Sequence, residues 1–222
     1  ARLSVRDVAA KGRVLIGFRE RNGRYVADIE ECHILHTVEA KALPKLSAVI
    51  ETLECRRAIP QIEVACGDER CAMIIRHLEE LSGEDIEKLR AFARETGVGV
   101  FLQAGGPDTI TLLEPVDFQL EYAFESLALR FYFEPLDFIQ VNGPLNQQMV
   151  RRALELLEPR ADDNILDLFC GLGNFTLPLA QGGGHVTGLE GSADMVERGR
   201  FNAALNGLDN VEFHTADLYQ PR

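Results

Sequence analysis

Between Asn164 and Asn174 the chain reads Asn-Ile-Leu-Asp-Leu-Phe-Cys-Gly-Leu-Gly-Asn, an apolar run that breaks into a glycine turn. No other stretch constrains the fold as strongly, because a buried strand, a glycine turn and a helix are the first unit of a parallel sheet. The continuation fits: a strand His185–Leu189 ending on Glu190, a helix Ser192–Asn206 stopped by Gly207, and a strand Val211–Thr215 followed by Asp217. The pattern β-α-β-α-β is the opening half of a doubly wound α/β sheet. Glycines in such a turn let the backbone approach a ligand, and the next helix offers unpaired N–H groups. Glu190, 19 residues after Gly171, ends the neighbouring strand, where a carboxylate accepts both hydroxyls of a nucleoside ribose. Asp217 follows the third strand on the same carboxyl side, within reach of an adenine edge.

A dinucleotide fingerprint calls for a third small residue after the first two glycines. Here Gly171 and Gly173 are followed by Thr176. The acidic strand end at Asp167 repels a pyrophosphate but suits a cationic methionine group, so S-adenosylmethionine is favoured over a nicotinamide cofactor. The dehydrogenase alternative stays open on this stretch alone.

The rest of the chain has a different style. Arg13–Glu20 and Arg24–Glu31 alternate around Asn22-Gly23, which predicts a β-hairpin. Leu46, Val49, Ile50 and Leu53 predict a helix over Leu46–Arg57. Ile62–Ala65 and Ala72–Arg76 read as paired strands across a polar turn. Ser82 and Asp85 resemble a capping box opening a helix that Gly97 closes. Short strands are expected at 98–103, 109–113 and 129–133, and a helix over Asn146–Leu157. The change of style divides the chain into 1–136 and 137–222.

Net charge is −12, which argues against a whole-surface grip on nucleic acid. Residues 1–25 nonetheless hold seven basic side chains against Asp7 and Glu20, a local balance of +5. Such a patch serves equally as a solvated strand face or as a contact for a polyanion. No apolar run reaches the roughly 18–20 residues needed to cross a bilayer, and the first residues lack a secretory apolar core. The cytoplasm is therefore expected, with no membrane partner. Cysteines 32, 55, 66, 71 and 170 form no even framework, so free thiols are expected, and Cys66 and Cys71 read as strand-core residues.

Three stretches together resemble the RNA uracil-5-methyltransferases: Asp137-Phe-Ile-Gln-Val-Asn142, Asn146-Gln147 and Leu166–Phe175. The nearest likeness is to the branch that modifies 23S ribosomal RNA. Arg2-Leu-Ser-Val5, Gly17-Phe-Arg19 and Cys32-His-Ile-Leu35 resemble the central region of that branch, so the likeness spans the chain. It implies a mixed α/β central domain that contacts RNA, then the first half of a Rossmann-like class I methyltransferase sheet. It also implies S-adenosylmethionine as methyl donor, 23S rRNA as partner, and a monomer when whole. By the resemblance Gln140, Phe169, Asn174, Glu190 and Asp217 contact the donor, joining Gly171 and Gly173 of the turn. The residue pattern alone would read Gln140 as a polar junction residue and Phe169 as strand core.

In the family a thiolate from a Ser-Cys-Asn-Pro motif adds to uracil C6, the resulting enolate takes the methyl group, and a glutamate removes the C5 proton. An aspartate-proline motif precedes both. None of these occurs in residues 1–222, so no catalytic residue is assigned and these residues alone are expected to be inactive. Cys170 is read as lining the fold. Cys32 resembles the distant fourth ligand of the family's 4Fe–4S cluster, with His33 in place of proline. The other three ligands and the family's small RNA-binding TRAM barrel would precede Ala1. A cluster takes four thiolates, so none is expected on this chain by itself. The first parallel strand is expected to have an open edge. Two other functions compete: a non-catalytic RNA-binding remnant gripping phosphates through residues 1–25, and a tRNA uracil-5-methyltransferase. Donor binding separates the first from an enzyme; Cys32 favours rRNA, because the tRNA enzymes lack the cluster cysteine.

Overall fold

The structure, a computed structural model, describes residues 1–21, 23, 25–28, 35 and 37–219. It divides into two compact units, Ala1–Leu120 and Glu121–Arg222.

In the first unit, strands β1 (Arg2–Val8), β2 (Arg13–Gly17), β3 (Gln61–Cys66), β4 (Cys71–Arg76), β5 (Gly99–Gln103) and β6 (Ile110–Glu114) make one sheet, ordered β2-β1-β3-β4-β5-β6. Neighbours run antiparallel except β4 and β5, which are parallel and need a crossover. Helix α2 (Gly83–Thr96) supplies it. Leu46 and Ile50 of helix α1 (Thr37–Glu51) and Leu89 and Phe92 of α2 are buried in one core with Leu3, Ile62, Met73 and Ile75 of the sheet. Period-two alternation sends Leu3 and Val5 of β1 into this core and leaves Arg2 and Arg6 exposed on the opposite face.

Several expectations need correcting here. The N-terminal hairpin is β1 folded onto β2, reversing through Ala9–Gly12 with Gly12 in the left-handed region (φ 65°). Asn22 lies outside the described residues. The expected reversal about Asn22-Gly23 is present in short form: Arg19 pairs antiparallel with Val26, the Glu20 amide donates to the Tyr25 carbonyl (3.0 Å) and the Ala27 amide to the Phe18 carbonyl (2.9 Å). Helix α1 begins nine residues before Leu46 and runs through Pro44, a residue that ordinarily costs an interior helix ~3 kcal/mol and so hides its start. It also stops at Glu51 rather than Arg57. The amides of Glu54 and Cys55, which would continue the helix, instead donate to the two oxygens of the Asp85 carboxylate (3.0 and 3.3 Å). Ser82 does cap α2, accepting from the Asp85 amide (3.2 Å), and Gly97 closes it at φ 71°. The Asp85 side chain, however, is fully buried and committed to the end of α1 rather than to the capping box. Cys66 and Cys71, opposite one another in the β3–β4 register, are joined by a disulfide, which replaces the expected pair of free thiols.

The second unit opens with a ribbon of β7 (Leu120–Phe124) and β8 (Leu129–Phe133), of which only β8 was expected. Helix α3 (Gly143–Leu157) follows, starting at Gly143-Pro144 and capped by Asn142. Then come β9 (Asn164–Leu168), α4 (Thr176–Ala180), β10 (His185–Glu190), α5 (Ala193–Leu205) and β11 (Val211–Thr215). The three strands are parallel in the order β11-β10-β9, the predicted β-α-β-α-β. β9 therefore forms an edge of this sheet, with Leu166 and Leu168 half-exposed on one of its faces.

The ribbon belongs with this unit although it precedes residue 137. Asn202 of α5 accepts from the Tyr132 amide (2.8 Å) and donates to the Tyr132 carbonyl (3.1 Å). Asn206 does the same at Arg130 (2.8 and 2.7 Å). Four helical residues rise about 6.0 Å and two strand residues about 6.6 Å, so asparagines at i and i+4 match alternate residues of a strand edge.

Candidate functional site

The turn after β9 is built from left-handed backbone. Phe169 (φ 59°), Gly171 (φ 57°) and Gly173 (φ 101°) all have positive φ. For a non-glycine, bulky residue this is a strained conformation that functional turns retain. It turns Phe169 out of the strand: its ring is about half exposed and lies 5.5 Å from that of Tyr219, so it is not the strand-core residue that the residue pattern alone suggests. Tight packing beneath explains the small residues. A Cβ on Gly188 would stand 2.8 Å from Cys170 Sγ and 3.0 Å from the Phe213 ring, and one on Gly173 3.1 Å from Leu177.

Glu190, the last residue of β10, is bonded to the turn. Its Oε2 accepts from the Gly171 amide (3.1 Å) and its Oε1 from the Ser192 amide (3.1 Å). A carboxylate has about four acceptor positions, so two remain. Asp217 stands close along the sheet. Thr215 is in register with Glu190, the Ala216 amide donates to the Glu190 carbonyl (2.9 Å), and Asp217 is exposed, accepting from Tyr219 N–H (3.0 Å). The structure thus gathers Phe169, Gly171, Gly173, Glu190 and Asp217 at the carboxyl ends of three strands.

Two expected residues sit differently. Asn174 turns its amide inward: Asn146 and Asn174 exchange reciprocal amide hydrogen bonds (2.8 and 2.9 Å), and Tyr122 Oη donates to Asn174 Oδ1 (3.0 Å). Gln140 is exposed on the loop between β8 and α3, with no hydrogen bond to the other residues among those described. That loop is anchored by Arg198 of α5, whose Nε donates to Asp137 Oδ2 (2.7 Å) while its guanidinium lies over the Tyr132 ring. The residue pattern by itself gives Asn146, Tyr122 and Arg198 no such roles. The available signal was Asn146, a polar residue one helical turn before the buried Val150 on the same face.

Asp167 at the end of β9 accepts from Thr176 Oγ1 (2.7 Å). Burial raises its carboxyl above the ordinary value, with the Thr176 hydrogen bonds opposing. Burial, with Asp167 and Glu190 adding negative charge, pushes the Cys170 thiol up to about 12. Cys170 is buried, and its Sγ fills the space beneath Gly188. Cys55 is likewise pushed up to about 11 by burial and Asp85. Cys32 lies outside the described residues. Among those described, no group of three or more His, Cys, Asp or Glu is placed to hold a metal, and no helix is long and apolar enough to cross a membrane.

A parallel sheet with a glycine turn and acidic strand ends is the architecture of Rossmann-like nucleotide-binding domains. The Pyrococcus abyssi tRNA (uracil-54, C5)-methyltransferase, solved with S-adenosyl-L-homocysteine, has this fold: it superposes with a TM-score of 0.73 at 19% identity, over 99% of this chain and 56% of that one. Residues 44–217 match the family described as tRNA (Uracil-5-)-methyltransferase, and the chain belongs to that family. It is 51% identical to the 23S rRNA (uracil(1939)-C(5))-methyltransferase RlmD of Hahella chejuensis over its whole length and 50% of that protein. The RlmD proteins of Xanthomonas euvesicatoria (48%) and Francisella tularensis (46%) each match 99% of the chain. The chain spans about half the length of these curated relatives.

Proposed function

We propose that this chain is the central and donor-binding part of an enzyme that methylates C5 of a uridine in 23S rRNA. The observation that carries the reading is Glu190 bonded to the Gly171 amide at the carboxyl end of adjacent parallel strands, in a chain 45–51% identical to proteins named for that reaction. The residues present fit S-adenosylmethionine. Left-handed glycines allow close backbone approach, Glu190 has spare acceptor positions that would take ribose hydroxyls, and the exposed Asp217 would accept from the adenine. Phe169 offers an exposed ring, and the Asp167 carboxyl would offset the charge of the sulfonium. When bound, the donor supplies an activated methyl group. Gln140 would close the site from the loop, and Asn174, held by Asn146 and Tyr122, would fix the turn.

The covalent step requires a cysteine nucleophile and a base that we assign outside residues 1–222; these residues alone should be inactive. In the whole enzyme Cys32 is assigned as one thiolate of a 4Fe–4S cluster whose other ligands also lie outside this chain. We place the enzyme in the cytoplasm as a monomer.

The test is methyl transfer by the full-length protein carrying this sequence, with radiolabelled donor, a 23S rRNA transcript and a tRNA transcript. 5-Methyluridine in the rRNA alone is expected. Methylation of tRNA alone would move the substrate to the tRNA alternative, and donor binding without methylation of either would overturn the reading.

A further inference from the structure

The first unit holds a groove of about 390 Å³, a size typical of ligand sites, between β1, the Arg56–Ala58 turn and the Arg19–Val26 bridge. Its wall is mostly polar, with the buried Val5 and Ile59 and the partly buried Pro60 beneath. Arg6, Arg19, Arg56 and Arg57 line it against one carboxylate, Asp7. On a chain with net charge −12, four guanidiniums around one concavity stand apart from the rest of the surface.

The arginines are held in place without being used up. Asp7 Oδ2 accepts from Arg56 Nε (3.2 Å) and Arg57 Nε (3.1 Å), one oxygen fixing two side chains. Arg57 and Arg56 hold the Asp7 carboxyl below its ordinary value, so it keeps its charge. Arg19 Nε donates to Ser4 Oγ (3.1 Å), and Arg6 has no ion pair among the described residues. Hydrogen bonds through Nε leave the forked Nη ends of Arg19 and Arg57 for an acceptor. A planar guanidinium fork matches two oxygens of a phosphate, a geometry that lysine does not offer.

We propose that this groove is a binding site for a phosphodiester of the RNA backbone, with Arg6 and Arg19 as its least committed contacts. The inference rests on the RNA-methyltransferase reading above and adds the place where the first unit holds the strand.

The experiment measures binding of a fluorescein-labelled 23S rRNA hairpin to the full-length protein across a salt series. Arg6→Ala, Arg19→Ala and the double variant are compared with Arg6→Lys. Each phosphate contact contributes roughly 0.7–0.9 to the slope of log affinity against log salt. The double variant should lose about 1.4–1.8 of that slope and bind at least about tenfold more weakly, Arg6→Lys should retain most of the slope, and S-adenosylmethionine affinity should be unchanged. Unchanged RNA affinity and slope in the double variant would overturn the groove while leaving the enzyme reading intact. Failure of the unmodified protein to bind RNA would overturn both. Inorganic phosphate at matched ionic strength should displace RNA no better than chloride; saturable displacement by phosphate would assign the groove to a free anion instead.

Discussion

Replacing Glu190 by alanine tests the donor site most directly. The carboxylate accepts one hydrogen bond from Gly171 and one from Ser192 and has two acceptor positions left, which suit the two hydroxyls of a ribose. Hydrogen bonds to a charged group contribute about 1.5–3 kcal/mol each, so two would be worth about 3–6 kcal/mol if fully desolvated. Glu190 is only partly buried, and water competes for its oxygens. The lower bound, about 3 kcal/mol, is therefore the better expectation, and it corresponds to a Kd raised roughly 100-fold. Glu190→Gln keeps an oxygen for the Gly171 amide but loses the charge, and should cost about tenfold. Isothermal titration of S-adenosylmethionine into the full-length protein measures both, with a thermal melt of each variant alongside. A Glu190→Ala Kd within about threefold of the unmodified value would refute the argument, whatever the melt shows.

Asp167→Asn should separate stability from binding. Because burial raises the folded carboxyl, the folded state holds its proton more tightly than the unfolded one, and stability falls as pH rises from the unfolded value of 3.8 through the folded one. The amide variant should lose that slope in urea midpoints taken across the window, keep the Thr176 hydrogen bond, and bind the cationic donor more weakly at neutral pH. Asn202→Ala removes three hydrogen bonds from a fully buried site and should destabilise by about 2–4 kcal/mol in denaturant titration. Asn206→Ala, which is less buried, should cost about 1 kcal/mol. Gly188→Ala forces a Cβ against Cys170 and Phe213 and should cost about 1–3 kcal/mol, part of it recovered when Cys170→Ala is added. Equal melting of the single and double variants would count against that packing account.

The parallel half of the fold was legible because each element carries its own punctuation. β10 and β11 fall within a residue of their expected spans, β9 covers the start of the apolar run after Asn164, and the acidic strand ends lie where the pattern put them. Long-range partners are what the sequence hides. Asp85 satisfies a local capping pattern, yet its side chain serves amides 31 and 30 residues away, and that choice sets where α1 stops. The strand character of β7 emerges through Tyr122, whose ring stacks on Phe131 at 4.8 Å and whose hydroxyl reaches Asn174. The residue pattern alone misses Phe169 for a related reason. Its apolar character fits a strand, and only the left-handed backbone turns it outward. For Gln140 the residue pattern carried no signal, and the resemblance alone named it.

The asparagines of α5 have a consequence for how the second unit meets other extended chains. The outer N–H and C=O groups of Arg130 and Tyr132 would ordinarily form an adhesive margin, open to any segment in search of backbone partners. Here side-chain amides have already filled that margin, and displacing Asn202 would strip a residue with no exposed surface. An invading strand would have to dislodge a helix before its first bond formed. The ribbon is thus sealed along β8 by a surrogate that, being helical, offers no fresh edge of its own.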